Sequence, residues 1–459
     1  DDLFDQLSGQ DVVAFTGSAT TASHLRSHPG LVGNAVRFNA ETDSLNCSIL
    51  GPDAGPDSPE FALYVGQLVT EMRVKAGQKC TAIRRAIVPR AFLDDVAEAV
   101  KAELTQVVIG NPANEGVTMG PLVSLEQRDE VRASVARLAG GARSIYGDPV
   151  KVDVVDADPE GGAFIAPQLL LADDAHLPVL HEVEAFGPAS TVMAYDSLDE
   201  AVTLAGLGEG SLVGSVVTHD PEFAKGIIQG TAAWHGRILI LDRDCASEST
   251  GHGSPLPNLV HGGPGRAGGG EELGGIRAVL HHMQRTALQG SPGMITAATG
   301  RWLPGAHRDE ERHPFRKYLE ELALGDGVTA GPRAVTLDDI EAFAELTGDR
   351  FYAHMDEEAA KANPFFDGRV AHGYFVLSAA AGLFVHPDPG PVLANYGLEN
   401  LRFIKPVYPG DELSVRLTAK EIDRRGTDPH GEVRWDALVT NQRGEAVAAY
   451  DVLTLVAKR

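Results

Sequence analysis

Cys80 lies in the segment AGQKCTAIRR, directly after a Gly-Gln-Lys turn and before a segment that the sequence predicts to be helical. The N-terminal end of a helix carries partial positive charge, and Lys79 and the nearby arginines would add to it. Both effects favour the thiolate, which attacks a carbonyl carbon and forms a covalent intermediate. A cysteine taken alone is more often an inert buried residue, so the neighbouring motifs must decide between these interpretations.

Asp349 and His354 form a second candidate pair in the segment FAELTGDRFYAHMDEEAA. Residues five apart do not share one helical face, so we expect them in an irregular loop that follows a helix. An Asp–His pair can remove a proton from a water molecule, which suits the addition of water to an activated double bond. The alternative is a helix-ending Gly-Asp with a surface histidine.

The elements around Cys80 alternate between strands and helices. QDVVAFTGSA (10–19) predicts a strand that runs into a Gly/Ser turn, AIVP (86–89) and SLVGSVVTH (211–219) predict strands, and the spacing of apolar residues over 92–104 predicts an amphipathic helix. This alternation indicates a layered α/β domain. Residues 246–275 are rich in glycine and predict a loop, which either approaches a ligand closely or is a mobile connection.

The pattern changes after residues 301–315, whose charge and prolines predict a linker. Residues 336–349 predict an N-capped amphipathic helix, and 371–384 are almost wholly apolar, as in a buried helix. Strand-like segments follow to the C-terminus. We therefore predict an α+β domain over 316–459, in which an antiparallel sheet wraps one helix, after an α/β domain over 1–300.

The composition limits the choice of partner and compartment. A chain of 459 residues is long enough for two to four domains. The 39 basic and 64 acidic residues give a net charge of −25, which disfavours nucleic acid and membrane surfaces as partners. The first residues lack a secretory signal, so we predict a cytoplasmic protein. Three scattered cysteines predict neither a disulfide framework nor a metal site.

Five ordered segments of the first part resemble the aldehyde dehydrogenase superfamily. They are FTGSATTA (15–22), NAETDSLNCSILGPDA (39–54), GQKCTA (77–82), GNPANEGVTMGPLVS (110–124) and EAFGPAS (184–190). The resemblance implies the α/β fold of that family and an NADP- or NAD-dependent oxidation of an aldehyde. It does not decide between the two cofactors.

The same resemblance implies the roles of individual residues. Cys80 would be the nucleophile and Glu41 the base that activates the deacylating water. The cofactor contacts that it implies are Gly17, Ser18, Glu184 and Phe186. The sequence departs from the family pattern in two places. Glu41 and Cys80 are 39 positions apart (80 − 41), which is longer than usual, and Thr-Asp-Ser follows the glutamate in place of the usual Leu-Gly-Gly. We also expect the cofactor site of this chain to be incomplete and its oxidation impaired, because the family's earlier dinucleotide-binding segment would precede residue 1.

The second part resembles the R-specific, MaoC-like enoyl-CoA hydratases of the hot-dog fold. The motif Phe-x-x-Leu-Thr-Gly-Asp ends at Asp349, and His354 follows at the distance seen in that family. The resemblance implies that Asp349 and His354 are the catalytic pair and that the N–H of Gly373 binds the thioester oxygen, as an oriented helix N-terminus can. Phe351-Tyr352 replaces the family's Asn-Pro, and we expect His372 to be structural.

One chain that resembles both families is expected to be an enzyme that hydrates a CoA thioester and oxidises an aldehyde. One alternative is a general enoyl-CoA hydratase whose first part serves another CoA-linked aldehyde or acts only as a scaffold. Another is a non-catalytic acyl-CoA binding module. Both families form dimers, so the resemblance also implies a homo-oligomer built from dimers.

Overall fold

A computed structural model describes residues 2–256, 258–272 and 274–459. The chain divides into two compact units, Asp1–Gln284 and Arg285–Arg459. Part of the predicted linker packs in the second unit. Trp302 is 1% exposed, its N–H donates to the carbonyl of Lys420 at 2.8 Å, and its indole Nε1 donates to the carbonyl of His307 at 3.1 Å. This part of the linker is therefore held against the second unit's own fold.

The first unit contains nine strands and nine helices in the part that the structure describes. Its strands are β1 (Val12–Thr16), β2 (Arg37–Glu41), β3 (Cys47–Leu50), β4 (Arg85–Pro89), β5 (Ala142–Tyr146), β6 (Gln168–Ala172), β7 (Ala189–Tyr195), β8 (Ser211–Val217) and β9 (His235–Leu241). Its helices are α1 (Ala19–Arg26), α2 (Pro29–Gly33), α3 (Pro59–Arg73), α4 (Leu93–Leu104), α5 (Leu125–Leu138), α6 (Val179–Glu182), α7 (Leu198–Gly206), α8 (Pro221–Thr231) and α9 (Gly275–His282).

Seven of these strands form one sheet in the order β5-β6-β7-β4-β3-β8-β9. All neighbours are parallel except β5 and β6. Successive residues face two different cores, with Ile49 in one and Leu50 in the other. Burial on both faces explains why β4 is apolar after its first residue, Arg85, as expected of a parallel sheet. The predicted α/β layering is confirmed.

The remaining two strands form a small parallel sheet that matters for the site. β1 and β2 pair in the register Thr16 with Glu41, so both strands end together. Gly17 follows at once and donates its N–H to the carbonyl of Glu41 at 3.1 Å. The hydroxyl of Ser18 then accepts from the N–H of Thr21 and caps α1. The predicted strand and Gly/Ser turn are confirmed, and they lie beside Glu41.

The second unit combines five strands with five helices in its described residues. Its helices are α10 (Pro292–Thr299), α11 (Leu337–Thr347), α12 (Tyr352–Met355), α13 (Glu357–Ala362) and α14 (Gly373–Phe384). Its strands are β10 (Gly327–Ala334), β11 (Val392–Phe403), β12 (Glu412–Asp423), β13 (His430–Thr440) and β14 (Ala446–Ala457). The sequence analysis had not predicted β10, which contains glycine and proline.

The five strands form an antiparallel sheet in the order β10-β12-β13-β14-β11. β13 alternates strictly, with Val433, Trp435, Ala437 and Val439 buried and the residues that alternate with them partly exposed. The buried side chains share one core with the apolar helix α14. The prediction of a sheet that wraps a buried helix is confirmed, and this is the hot-dog arrangement.

Helix α11 delivers the chain to Asp349. The hydroxyl of Thr336 accepts from the N–H of Asp339, and the Asp339 carboxylate accepts from the N–H of Thr336, which starts the helix. Gly348 has a φ of 79° and ends the helix, since a left-handed residue at this position favours glycine.

None of the helices in the described ranges has the length and apolar character needed to cross a bilayer.

The core of the second unit yields a prediction about stability. Leu417 on β12 is fully buried, and we expect Leu417→Ala to lower the free energy of unfolding of this unit by about 2–5 kcal/mol. Leu346 is 82% exposed, so Leu346→Ala serves as the control. It should change the free energy of unfolding by less than about 0.5 kcal/mol. Denaturant unfolding followed by circular dichroism measures both, and equal losses would contradict the assigned core.

Candidate functional site

Cys80 lies in a turn that is held by buried polar contacts. The side-chain amide of Asn46 donates to the carbonyls of Cys80 and Ala82 at 2.8 and 3.0 Å. Gly77 has a φ of 67°, and a Cβ there would come within 2.2 Å of the carbonyl oxygen of Gly187. Only glycine therefore allows the Cys80 turn to pack against the segment that carries Phe186.

Two predictions about the environment of Cys80 are wrong. The residues after the turn enter strand β4, so the helix that was predicted to follow Cys80 is not formed. Lys79 is also unavailable as a free cation, because its ammonium group is paired with Glu71 at 2.8 Å. Burial, followed by the neighbouring carboxylates of Glu41 and Glu272, raises the pKa of the Cys80 thiol to about 12. A pKa of this size favours the thiol form of Cys80 over the thiolate.

Glu41 lies at the end of β2 and interacts with the Cys80 side chain. Burial raises the pKa of Glu41, an interaction with the thiol opposes the rise, and Glu272 adds to it. A carboxylate with a raised pKa beside a thiol can accept the thiol proton. The structure therefore brings Glu41 and Cys80 together, as the sequence analysis predicted.

The glycine-rich segment places Glu272 next to this pair, and the sequence analysis missed it. The N–H of Gly270 donates to the carbonyl of Ala40 at 3.2 Å, and the N–H of Glu271 donates to the side-chain oxygen of Asn39 at 2.9 Å. A Cβ at Gly270 would lie 2.5 Å from the Ala40 carbonyl oxygen. The glycines thus allow close approach to β2, which carries Glu41. A glutamate after a run of glycines was the available signal.

A cavity of about 480 Å³ lies on one side of the Glu41–Cys80 pair. Gly17, Ser18, Glu184 and Phe186 all line it, so the four predicted cofactor contacts converge on one space with the two catalytic candidates. Most of its remaining lining comes from the loop after Glu41, from α5 and from the segment before Glu184.

Arg84 holds the Glu184 segment in place. The Arg84 side chain donates to the carbonyls of Gly187 and Gly77, and its guanidinium lies 5.5 Å from the centre of the Phe186 ring. Glu184 accepts from the N–H of Ser44 through Oε2 at 3.1 Å. Burial raises the pKa of Glu184, and the nearby Arg84 opposes this. Arg84 was not predicted as a site residue.

The residues around this cavity fit the ribose and nicotinamide end of a dinucleotide. Oε1 of Glu184 is buried and accepts no hydrogen bond, although Arg84 Nε lies 3.4 Å away. A carboxylate oxygen in that state can accept from a ribose hydroxyl, and the Phe186 ring offers an apolar surface to the nicotinamide.

A second cavity, of about 320 Å³, lies beside the same pair and shares Glu41 and Cys80 with the first. Its wall includes Lys75, Arg237 and Glu272. Cys80 and Glu41 therefore line two cavities. Such a position lets a cofactor reach the thiol from one cavity and an aldehyde from the other.

Asp349 and His354 converge in the second unit. The Asp349 carboxylate and ring nitrogens of His354 and His372 all lie within 4.8 Å of one another. His354 Nδ1 donates to the carbonyl of Val370 at 2.7 Å, which leaves the Nε2 lone pair free to accept a proton. Burial lowers the pKa of His354, which favours this neutral form. His354 lies in the short helix α12, so the prediction that both residues share one irregular loop is wrong for the histidine.

A cavity of about 490 Å³ connects this pair with the start of α14. Asp349, His354 and Gly373 line it, together with apolar side chains such as Phe365 and Phe403. Gly373 begins α14, so its N–H belongs to the first turn, where no helical carbonyl can accept from it. A Cβ at Gly373 would lie 2.5 Å from the Phe403 ring, which explains the glycine.

The comparisons with known proteins match both units. Residues 5–280 match the aldehyde dehydrogenase family, and residues 322–441 match the MaoC like domain. The fold and the two sites define an enzyme that joins a dehydrogenase part to a hydratase part. The chain belongs to the aldehyde dehydrogenase family and carries a MaoC-like domain after it.

Individual relatives agree with this assignment. The chain is 53% identical to "Protein MaoC" of Klebsiella aerogenes over 69% of this chain and 95% of that protein. It is 44% identical to the 3,4-dehydroadipyl-CoA semialdehyde dehydrogenase of Aromatoleum evansii over 57% of this chain and 51% of that protein. A structure of betaine aldehyde dehydrogenase from Staphylococcus aureus in complex with NAD⁺ aligns with a TM-score of 0.51 and 26% identity, over 60% of this chain and 50% of that chain. The chain thus spans about half the length of these two dehydrogenases.

The pKa of Cys80 can be tested by alkylation. We expect Glu41→Gln to speed the reaction of Cys80 with iodoacetamide at pH 8, because it removes a carboxylate that raises the thiol pKa. Each unit by which the pKa falls would increase the thiolate fraction about tenfold. Mass spectrometry of the labelled peptide distinguishes Cys80 from Cys245, and Cys80→Ala sets the background. A slower reaction in Glu41→Gln would show that the carboxylate does not suppress ionisation.

Proposed function

We propose that the chain catalyses two consecutive reactions of phenylacetate catabolism. The hot-dog domain would open the ring of oxepin-CoA by hydration, and the dehydrogenase part would oxidise the resulting CoA-linked semialdehyde to a carboxylate with NADP. The main support is that the chain joins two separate reactive pairs, Cys80 with Glu41 and Asp349 with His354, each on its own cavity. The name of the Aromatoleum evansii relative, a CoA-linked semialdehyde dehydrogenase, agrees with this substrate class.

In the hydration step, the neutral His354 and Asp349 would hold one water molecule between them and remove its proton. The water oxygen would bond to the carbon β to the thioester, which also carries the ring oxygen, and the proton taken from the water would return to the α carbon. The N–H of Gly373 would stabilise negative charge that develops on the thioester oxygen. The hemiketal formed in this way would lose its hydroxyl proton and break its bond to the ring oxygen, which leaves a ketone β to the thioester and an enol at the other end. The enol would take up a proton on carbon and become the aldehyde.

In the oxidation step, Cys80 would add to the aldehyde carbon. Because its pKa is about 12, the thiol needs a base, and Glu41 is the carboxylate that interacts with it. A bound nicotinamide supplies the oxidant, which accepts hydride. The product would be a thioester on Cys80. After releasing the thiol proton to solvent, Glu41 would deprotonate the water that hydrolyses the thioester and return that proton to the departing Cys80 sulfur. Glu184 and Phe186 would hold the ribose and the nicotinamide ring.

We propose a cytoplasmic homo-oligomer built from dimers, with a CoA thioester as the substrate. The association of both families into dimers is the reason for this proposal. Sedimentation of the purified chain measures its mass, and a monomer would contradict the proposal.

The two reactions can be separated with matched variants. We expect Asp349→Asn and His354→Gln to lower the hydration rate by about 10²-fold or more, because each removes an acid–base group. Cys80→Ala should leave hydration unchanged and abolish reduction of the nicotinamide. The loss of the oxepin-CoA chromophore and the formation of NADPH, followed together, measure the two steps.

The choice of substrate separates the proposed function from its alternatives, and three results would contradict the proposal. Hydration of crotonyl-CoA without ring opening of oxepin-CoA would indicate a general enoyl-CoA hydratase. Hydration without NADPH formation or NADP binding would indicate that the dehydrogenase part acts only as a scaffold. Unchanged hydration in Asp349→Asn would leave the second unit as an acyl-CoA binding module.

A further inference from the structure

His372 is a buried histidine beside the proposed hydratase pair, Asp349 and His354. The hydration reaction proposed above gives it no role. It is 1% exposed and immediately precedes α14, so its backbone leads directly into Gly373. Its ring stacks on the ring of His354, with the centres 3.8 Å apart and the planes 30° apart. Phe343 of α11 also contacts it, at 5.1 Å between ring centres. The His372 ring is thus fixed by aromatic neighbours.

The hydrogen bonds of His372 lead to the other member of the pair. Its Nε2 lies 2.9 Å from the backbone carbonyl oxygen of Asp349, which can only accept, so Nε2 carries the proton. Its Nδ1 is buried and has no hydrogen-bond partner. A ring that was needed only for packing would be better replaced by phenylalanine, because a buried nitrogen without a hydrogen-bond partner destabilises the fold.

We propose that His372 is a positioning residue for the hydration reaction. One edge of its ring holds the backbone of Asp349, and its face holds the ring of His354, so a single side chain sets the separation and relative orientation of the acid–base pair. His372 touches neither water nor substrate in this role. The inference rests on the proposed hydration activity of the second unit and adds a residue to it.

Several charged groups surround the stacked rings of His354 and His372. Asp349 lies on one side, and Arg369 donates to the carbonyl of His354 while its guanidinium pairs with Glu341 at 3.1 Å. Lys405, which is paired with Glu445, lines the same cavity. Burial is the main cause of the lowered His354 pKa, and the neighbouring His372 contributes to it, whereas Asp349 opposes it. Removal of His372 should therefore raise the pKa of His354.

The test uses two substitutions that separate the hydrogen bond from the ring. His372→Phe keeps a ring that can stack on His354 but cannot donate to Asp349, and His372→Gln keeps a donor but loses the stacked ring. We expect each to lower kcat for hydration by about 10²-fold, as a misplacement of about 1 Å can, with KM close to the value of the unsubstituted chain. In His372→Phe the acidic limb of the pH profile of kcat/KM should move to higher pH.

His386→Phe is the matched control, because His386 belongs to the same unit and contacts another histidine, His313, outside the Asp349 cavity. His386→Phe should leave kcat and the pH profile unchanged.

A double-substitution cycle gives a second measurement. If His372 acts through His354, then His372→Phe should have little further effect in a His354→Gln background.

Three results would overturn the positioning role. They are unchanged kcat in both variants of an active chain, equal effects of His372→Phe with and without His354, and loss of folding in both variants, which would assign His372 to stability. If the unsubstituted chain has no hydration activity at all, the proposed function itself fails. These failures are distinguishable, because the first three require an active unsubstituted chain and the last is measured without any substitution.

Discussion

The burial of Glu41 beside Cys80 is the constraint on which the first unit depends. Both side chains lose solvation, and burial is the main cause of the raised pKa of each. This arrangement needs several backbones to approach closely, and glycine permits each approach. Gly77 packs against Gly187 beneath the thiol, and Gly270 packs against the strand that ends at Glu41. The glycines therefore contribute by allowing the close backbone packing around Glu41 and Cys80.

The second unit meets the same requirement with different elements. Helix α11 ends at Gly348 and presents Asp349, α12 presents His354, and α14 presents Gly373. The three are tied together by backbone carbonyls, since His354 donates to Val370 and His372 donates to Asp349. The sheet behind α14 supplies a rigid core, so the pair is positioned by elements that do not depend on the substrate. Partial burial keeps His354 neutral and able to accept a proton.

Motifs and periodicity predicted much of this structure. Alternating strands and helices identified the α/β unit, an N-capped amphipathic pattern identified α11, and an apolar run identified α14. These signals are local, so they are readable along the chain. Strand β10 escaped prediction because glycine and proline weaken the strand pattern, and its position at the edge of the sheet tolerates them.

The sequence by itself determined which residues could react: a cysteine and a glutamate in one ordered set of motifs, and an aspartate and a histidine in another. Only the tertiary structure decided their environments. A helix was expected to lower the pKa of Cys80, but a strand follows it, Lys79 is neutralised by Glu71, and Glu272 arrives from a segment almost 200 positions away in the chain (272 − 80 = 192). A pKa depends on desolvation and on charges brought near by folding, and neither is encoded in the local pattern.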